Sequence, residues 1–432
     1  MKVYSLDREQ KDLGHSRQAQ YLFNYVRDLK AKTVILEEQY FDKDYVVDYS
    51  KFYARSFTTH ERFTKRLHFF SHSFSQKEFR EVLENNNMQL SHIVRESYLG
   101  FVVVKPLVDA RGNPLIGRTI LKPYSPCTEQ DSCNFVEGEY SASLYGIPLH
   151  VKSLPFQVQD IAVGACSTVA LWVSLHPLYD LFGVPMQSPA EITERSASFP
   201  TEYRSFPSSG LTLEQMIVYI RSTGLDIESI DIESKIESEI GERIVPDVIR
   251  AYIKAGLPII ATVELEKMKN TYCHAVVISG YRCDQTGVIK ELYVHDDQIG
   301  PYNPVVSDEG FIEWKNRCVL KYDRKLVEKL LIPVYPKIRL TFGRIYEVYL
   351  RERKGSLSKE FSTELYLTQV GAYKEFLRNH FIQDKVKILT TSLPRFLWII
   401  WFHLNGTPVI DDVYDGTSVF PKRLLTVRFH DK

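Results

Sequence analysis

Cysteine is scarce in this chain: six residues, at positions 127, 133, 166, 273, 283 and 318, are spread over 432. That density excludes a disulfide scaffold. The start, MKVYSLDREQKDLGHS, has no apolar stretch of signal-peptide length, so reduced thiols and a cytoplasmic setting are expected. A surplus of charge is missing too, since 54 Lys plus Arg face 54 Asp plus Glu. With no net field to gather phosphate backbones or anionic lipid, nucleic acid is a poor default partner. Long hydrophobic runs are absent as well. The most apolar window, Leu397 to Leu404, falls far short of the roughly 20 residues that span a bilayer, so no membrane partner is expected. No repeat and no low-complexity linker interrupts the chain, and no long tract is depleted of aromatic or β-branched residues.

What is present is a folded composition, 44% apolar and 25% charged, in a length that suits two or three domains. Between His15 and Leu29, apolar residues recur at helical spacing (Ala19, Leu22, Phe23, Val26, Leu29), and Thr33 to Leu36 follows as a short strand. Tyr98 to Val104 and Ile116 to Leu121 are β-rich runs separated by the turn signal Gly112-Asn113-Pro114. Residues 1–152 are therefore expected to form a mixed α/β domain, and they carry no chemical motif. In residues 153–332, the run Ala165 to Leu175 predicts a helix buried on most sides, which Pro177 should end or kink. Ser188-Pro189-Ala190-Glu191 and Thr212-Leu213-Glu214-Gln215 fit capping boxes, and Val245, Val248, Ile249, Tyr252 and Ile253 repeat with helical period up to Gly256. Strands over Pro258 to Glu264, His274 to Gly280 and Lys290 to His295 follow. Helices followed by an antiparallel-looking sheet give an α+β pattern. Residues 333–432 are mixed again, with Asn405-Gly406 joining two β-prone runs into a hairpin. Asp411, Asp412 and Asp415, just past that turn, are expected to be solvated.

Gly164-Ala165-Cys166-Ser167-Thr168 places a thiol where a small-residue turn runs into the buried helix. Open N–H groups and the positive end of the helix dipole favour a thiolate there, and small neighbours leave room for a carbonyl. A Cys on an apolar helix is otherwise a small core residue. His274 opens one strand at its rim, and Asp296 closes the next. Adjacent strands can set an imidazole beside a carboxylate that fixes its tautomer and orientation.

The run His274-Ala275-Val276-Val277-Ile278-Ser279-Gly280-Tyr281, followed by Tyr293-Val294-His295-Asp296-Asp297-Gln298-Ile299-Gly300, resembles the His and Asp strands of papain-like cysteine peptidases of the bacteriocin-leader-processing, double-glycine branch. Gln159 to Cys166 is similar to the Gln and Cys segment of that branch. The resemblance covers about residues 153–332 and implies a papain-like domain between two mixed domains. It also implies Cys166 as nucleophile, His274 as base, Asp296 as the group that orients the His, and Gln159 as oxyanion donor. Gln159 stands one position further from the Cys than in that branch, so Gln157 is the alternative. Ser167 stands where Gly is common, and Asp297 replaces the usual Pro.

These roles imply a cysteine peptidase acting on a peptide or isopeptide bond of a protein or peptide substrate, without a cofactor. The same machinery can deamidate or transfer acyl groups, and a papain-like domain that has lost activity would be a binding or sensor protein. Leader peptidases of this branch are usually fused to transporters, so a double-glycine leader is not inferred as substrate. The flanking domains are expected to recognise a protein or cover the cleft. Cys273, His274, Cys283 and His295 are zinc-ligand types, but the adjacent Cys273 and His274 project to opposite faces of a strand. No metal is expected. Strand alternation likewise predicts Asp297 on the side of the chain away from the imidazole.

Overall fold

The computed structural model describes residues 1–6, 13–124, 131–160, 162–200, 210–232, 241–267, 270–307, 310–316, 324–355, 361–404 and 406–430. Cys127, Cys318 and Asn405 lie outside the described residues.

An antiparallel sheet comes first, in chain order: β1 (Lys2–Ser5), β2 (Thr33–Tyr40), β3 (Thr64–Phe70), β4 (Tyr98–Val108) and β5 (Pro114–Leu121). β4 reads as a continuous apolar run because both of its faces are buried. Val102 and Val104 enter one core with α1 (Arg17–Asp28), while Phe101 and Val103 enter a second core. α3 (Gln76–Leu83), α4 (Met88–Glu96) and the hairpin β7 (Gly138–Leu144) and β8 (Ile147–Ser153) close that second core. Between β2 and β3, α2 (Lys43–Lys51) starts at the N-cap Asp42, whose side chain accepts from the Tyr45 N–H.

The central sheet is antiparallel, in the order β14 (Lys315–Asn316), β13 (Gly300–Val306), β12 (Ile289–Asp296), β11 (Asn270–Cys283), β10 (Ile259–Lys267), β15 (Arg324–Val334) and β9 (Asp226–Asp231). The amino-terminal region contributes β6 (Ser132–Phe135), which pairs with the second half of β11. Gly280 permits that approach, because a Cβ there would lie 2.4 Å from the Phe135 ring and 2.6 Å from the Asn134 carbonyl. Helices α5 (Cys166–Phe182), α6 (Pro189–Ala197), α7 (Leu213–Ser222) and α8 (Gly241–Ile253) belong to this region, and both expected capping boxes are formed, at Ser188 and Thr212.

The helix starting at Cys166 does not stop at Pro177. It continues to Phe182 and ends at Gly183, a left-handed residue with φ 72°. Every residue from Ser167 to Leu178 is buried, and that packing outweighs the roughly 3 kcal/mol cost of an internal proline.

The carboxyl-terminal segment holds α9 (Phe342–Arg353), α10 (Val370–Arg378), α11 (Lys385–Thr390) and a four-stranded sheet of β16 (Ser362–Gln369), β17 (Phe396–Leu404), β18 (Thr407–Asp415) and β19 (Arg423–Arg428). Glu364 on β16 ties this segment to α8 and the residue that follows it, 3.3 Å from Arg250 and 2.7 Å from Lys254. Asp411 and Asp412 are not solvated: both are buried within β18, where Asp411 accepts from Tyr373 Oη at 2.8 Å and Asp412 faces Arg423 at 3.3 Å. One contiguous core runs from Leu6 to Tyr414, so the whole is an α+β fold whose segments share their interior. No helix among the described residues is long and apolar enough to cross a membrane.

Candidate functional site

The thiol is delivered by a tight turn. The Asp160 carbonyl accepts from the Val163 and Gly164 N–H groups, both at 2.8 Å, and Ala165 then takes an extended conformation as N-cap of α5. Gly164 is needed here, since a Cβ would fall 2.9 Å from the Thr168 methyl, and Thr168 is itself held 3.1 Å from the Thr193 hydroxyl. Ala165 offers no side-chain oxygen to the first turn, a choice that costs about 1 kcal/mol relative to Ser or Asp. The N–H of Cys166, at the first helical position, has no intrahelical acceptor in any case. Ser167 accepts from the Leu211 N–H at 3.1 Å and pins the start of α7 against the turn. Cys166 itself is half-buried.

The partner groups come from the central sheet. His274 sits on β11 opposite Val263, and Asp296 is the last residue of β12. There the chain turns, with the Ile299 N–H bonded to the Asp296 carbonyl and the Gln298 N–H bonded to Asp296 Oδ1 at 3.0 Å. The same Oδ1 lies 3.0 Å from His274 Nε2. Asp297 Oδ1 lies 3.6 Å from that nitrogen, so the expectation that Asp297 faces away is corrected. Strand alternation fails because β12 has ended and the turn carries both carboxylates to one side. Gln298 was not singled out from the sequence, although it stands in the same short run; its amide lies 3.5 Å from His274 Nδ1.

Burial alone would lower the pKa of His274. The Asp296 charge and hydrogen bond, the Cys166 side chain as a further hydrogen-bond partner, and the Asp297 charge outweigh it and hold the imidazole well above its ordinary 6.5. Because the folded value exceeds the unfolded one, this group stabilises the fold fully below about pH 6.5 and loses that contribution as pH rises through the folded pKa. Nitrogen-15 NMR of the His274 ring is expected to show an imidazolium at pH 7 that titrates only on the alkaline side. A neutral ring at pH 7 would contradict this electrostatic account.

Gln159 makes no hydrogen bond to Cys166 or His274; it lines a cleft shared with Ser16, Gln18, Tyr53 and His60. Gln157 is fully buried, and among the described residues its Nε2 has no hydrogen-bond partner. The zinc-type residues do not converge: Cys273 is exposed, and Cys283 sits at the far end of β11, 2.9 Å from the Ser132 hydroxyl. Among the described residues, the group with metal-ligand geometry is His274, Asp296 and Asp297, whose ligand atoms lie within 4.8 Å of one another. A ligating His must be neutral, whereas these two carboxylates favour its proton. No family model matches this chain, and no curated protein matches it.

Proposed function

We propose that Cys166, His274 and Asp296 form the site of a papain-like thiol hydrolase that cleaves peptide or isopeptide bonds. The observation that carries this reading is one imidazole bonded to Asp296 through Nε2 while the Cys166 side chain acts on the same ring. In this mechanism the Cys166 thiolate adds to the carbonyl carbon, and the oxyanion is held by the Cys166 N–H at the open end of α5. Gln159, on the cleft side of the turn, is the second oxyanion donor. The tetrahedral intermediate collapses as imidazolium His274 gives its proton to the departing amine, leaving an acyl thioester. Neutral His274 then takes a proton from water, hydroxide adds to the thioester, and the carboxylic acid and Cys166 are released. Asp296 stays ionised and keeps Nε2 protonated, which turns Nδ1 toward the chemistry.

Brief iodoacetamide treatment at neutral pH, mapped by mass spectrometry, tests the reading. Cys166 is expected to alkylate faster than any other thiol of the chain. Cys273 is the informative competitor, because it is more exposed but burial raises its pKa, with the nearby charges of Glu328 and Glu264 adding to the rise. Preferential labelling of Cys273 would mean that exposure, not a built site, governs reactivity, and the hydrolase reading would fall.

A further inference from the structure

The turn that delivers Cys166 is fastened from outside its own region. Asp160, whose carbonyl closes that turn, also accepts the Ala162 N–H through Oδ1 at 3.3 Å. Its other carboxylate oxygen, Oδ2, is held by two side chains of the amino-terminal region. Tyr53 Oη, just past α2, donates to it at 2.5 Å, and the Lys105 ammonium, on β4, lies 3.8 Å away. Lys105 and Asp160 are both nearly removed from solvent, 4% and 8% exposed. The same ammonium lies 3.7 Å from Asp48 Oδ2 on α2, and Asp48 Oδ1 accepts the Ala190 N–H at the start of α6. α6 in turn reaches the Cys helix, where Thr193 meets the Thr168 hydroxyl at 3.1 Å. One buried ammonium thus braces Cys166 from both sides, through Asp160 before it and through Asp48, α6 and Thr168 after it. The neighbouring strand β5 makes room for this lysine: Gly117 has no Cβ, which would stand 3.2 Å from Lys105 Cγ.

Stability alone does not account for this cluster, because apolar side chains of similar volume hold two regions together at least as well as a buried ion pair, and these regions already share one core. What the cluster fixes is a place. Resting on the hydrolase reading above, we propose that Tyr53 and Lys105 are positioning residues of the active site: by holding the Asp160 carboxylate they set the turn and aim the Cys166 thiol at His274. Both act only through Asp160. The amino-terminal region is thereby part of the catalytic assembly, beyond the expected roles of recognising a protein or covering the cleft. The reaction of a thiol depends steeply on its placement and on its pairing with the imidazole, so a shift of roughly 1 Å at the turn is felt in rate although no catalytic group is removed.

The test uses the full chain with Tyr53→Phe, which removes one hydroxyl, with Asp160→Asn, and with the two combined. Asp160→Asn removes the charge that Lys105 faces while Lys105 keeps Asp48; Lys105→Met would instead leave two buried carboxylates without their cation and endanger the fold. Three quantities are read: the iodoacetamide rate of Cys166 relative to Cys273 in the same sample, kcat and KM on denatured casein, and the His274 titration by nitrogen-15 NMR. In the double variant the Cys166 to Cys273 ratio and kcat are expected to fall about tenfold or more, with KM little changed. The His274 pKa should fall as well, because the Cys166 side chain is one of the groups that raise it. Each single variant should move all three in the same direction by less. General loosening of the fold has another signature, since it exposes thiols, raises alkylation and leaves the titration of the native ring in place. A double variant that melts cooperatively and keeps the wild-type ratio, kcat and titration overturns the positioning role and leaves the hydrolase reading standing. Tyr53→Phe, the mildest change, carries the same criterion if the double variant folds poorly. If the wild type shows no preference for Cys166 over Cys273, the hydrolase reading fails and the positioning role fails with it.

Discussion

Replacing Cys166 by Ser is expected to lower hydrolysis of denatured casein by roughly 10⁴-fold or more, the scale on which loss of a covalent nucleophile is felt. The hydroxyl is nearly isosteric, so the turn, the helix start and the imidazole keep their places. What disappears is sulfur as the nucleophile. The half-buried thiol has its open helix N–H groups on one side and an imidazole held well above its ordinary pKa on the other. A serine hydroxyl cannot pass its proton to an imidazole that already carries one. Thermal melting of the variant should stay within about 1 kcal/mol of the parent, since sulfur and oxygen differ little in volume at a partly exposed position. Full hydrolysis by the serine variant would remove Cys166 from the mechanism.

The pieces of this site were legible in the sequence to different degrees, for physical reasons. The helix beginning at Cys166 was readable because its apolar run exceeds any strand length, and strands β10 to β12 because β-branched runs between turn residues have few other solutions. The pairing of His274 with Asp296 depends on β12 ending at Asp296 alongside antiparallel β11; sequence order suggests that neighbourhood, but His274 does not open its strand, because β11 starts four residues earlier, at Asn270. The position of Asp297 was misread because period-two alternation was extended one residue beyond the strand. Asp411 and Asp412 were misread for the converse reason: acidic residues near a hairpin usually meet water, but these lie inside β18, and partners distant in sequence, Tyr373 and Arg423, make their burial tolerable. Burial also pushes the Asp411 carboxyl up to about 7, so it need not carry a full charge there. The cleft that Gln159 lines with Tyr53 is not legible in the sequence, because its two sides are far apart along the chain and are joined by tertiary contacts such as Tyr53 to Asp160.

The two carboxylates beside His274 are expected to separate cleanly under mutation. Asp296→Asn should lower turnover by roughly 10²- to 10⁴-fold with little change in KM, the behaviour of a group that orients and stabilises the imidazolium. Its Oδ1 meets Nε2 at 3.0 Å and also accepts the Gln298 N–H, so an amide there presents either a donor to a donor or a weaker acceptor, and the ring loses its fixed tautomer. Asp297→Asn should have the smaller effect, about tenfold, because at 3.6 Å Asp297 acts on the ring mainly as a charge. The titration of His274 provides a readout that mere loss of packing would not move. Both variants should lower its pKa, Asp296→Asn further than Asp297→Asn, since Asp296 supplies both charge and hydrogen bond and Asp297 only charge. The alkaline limb of the pH–rate profile should shift to lower pH in the same order. If Asp297→Asn were the more damaging of the two by both turnover and titration, Asp297 would be the orienting carboxylate, and the assignment of Asp296 would be wrong.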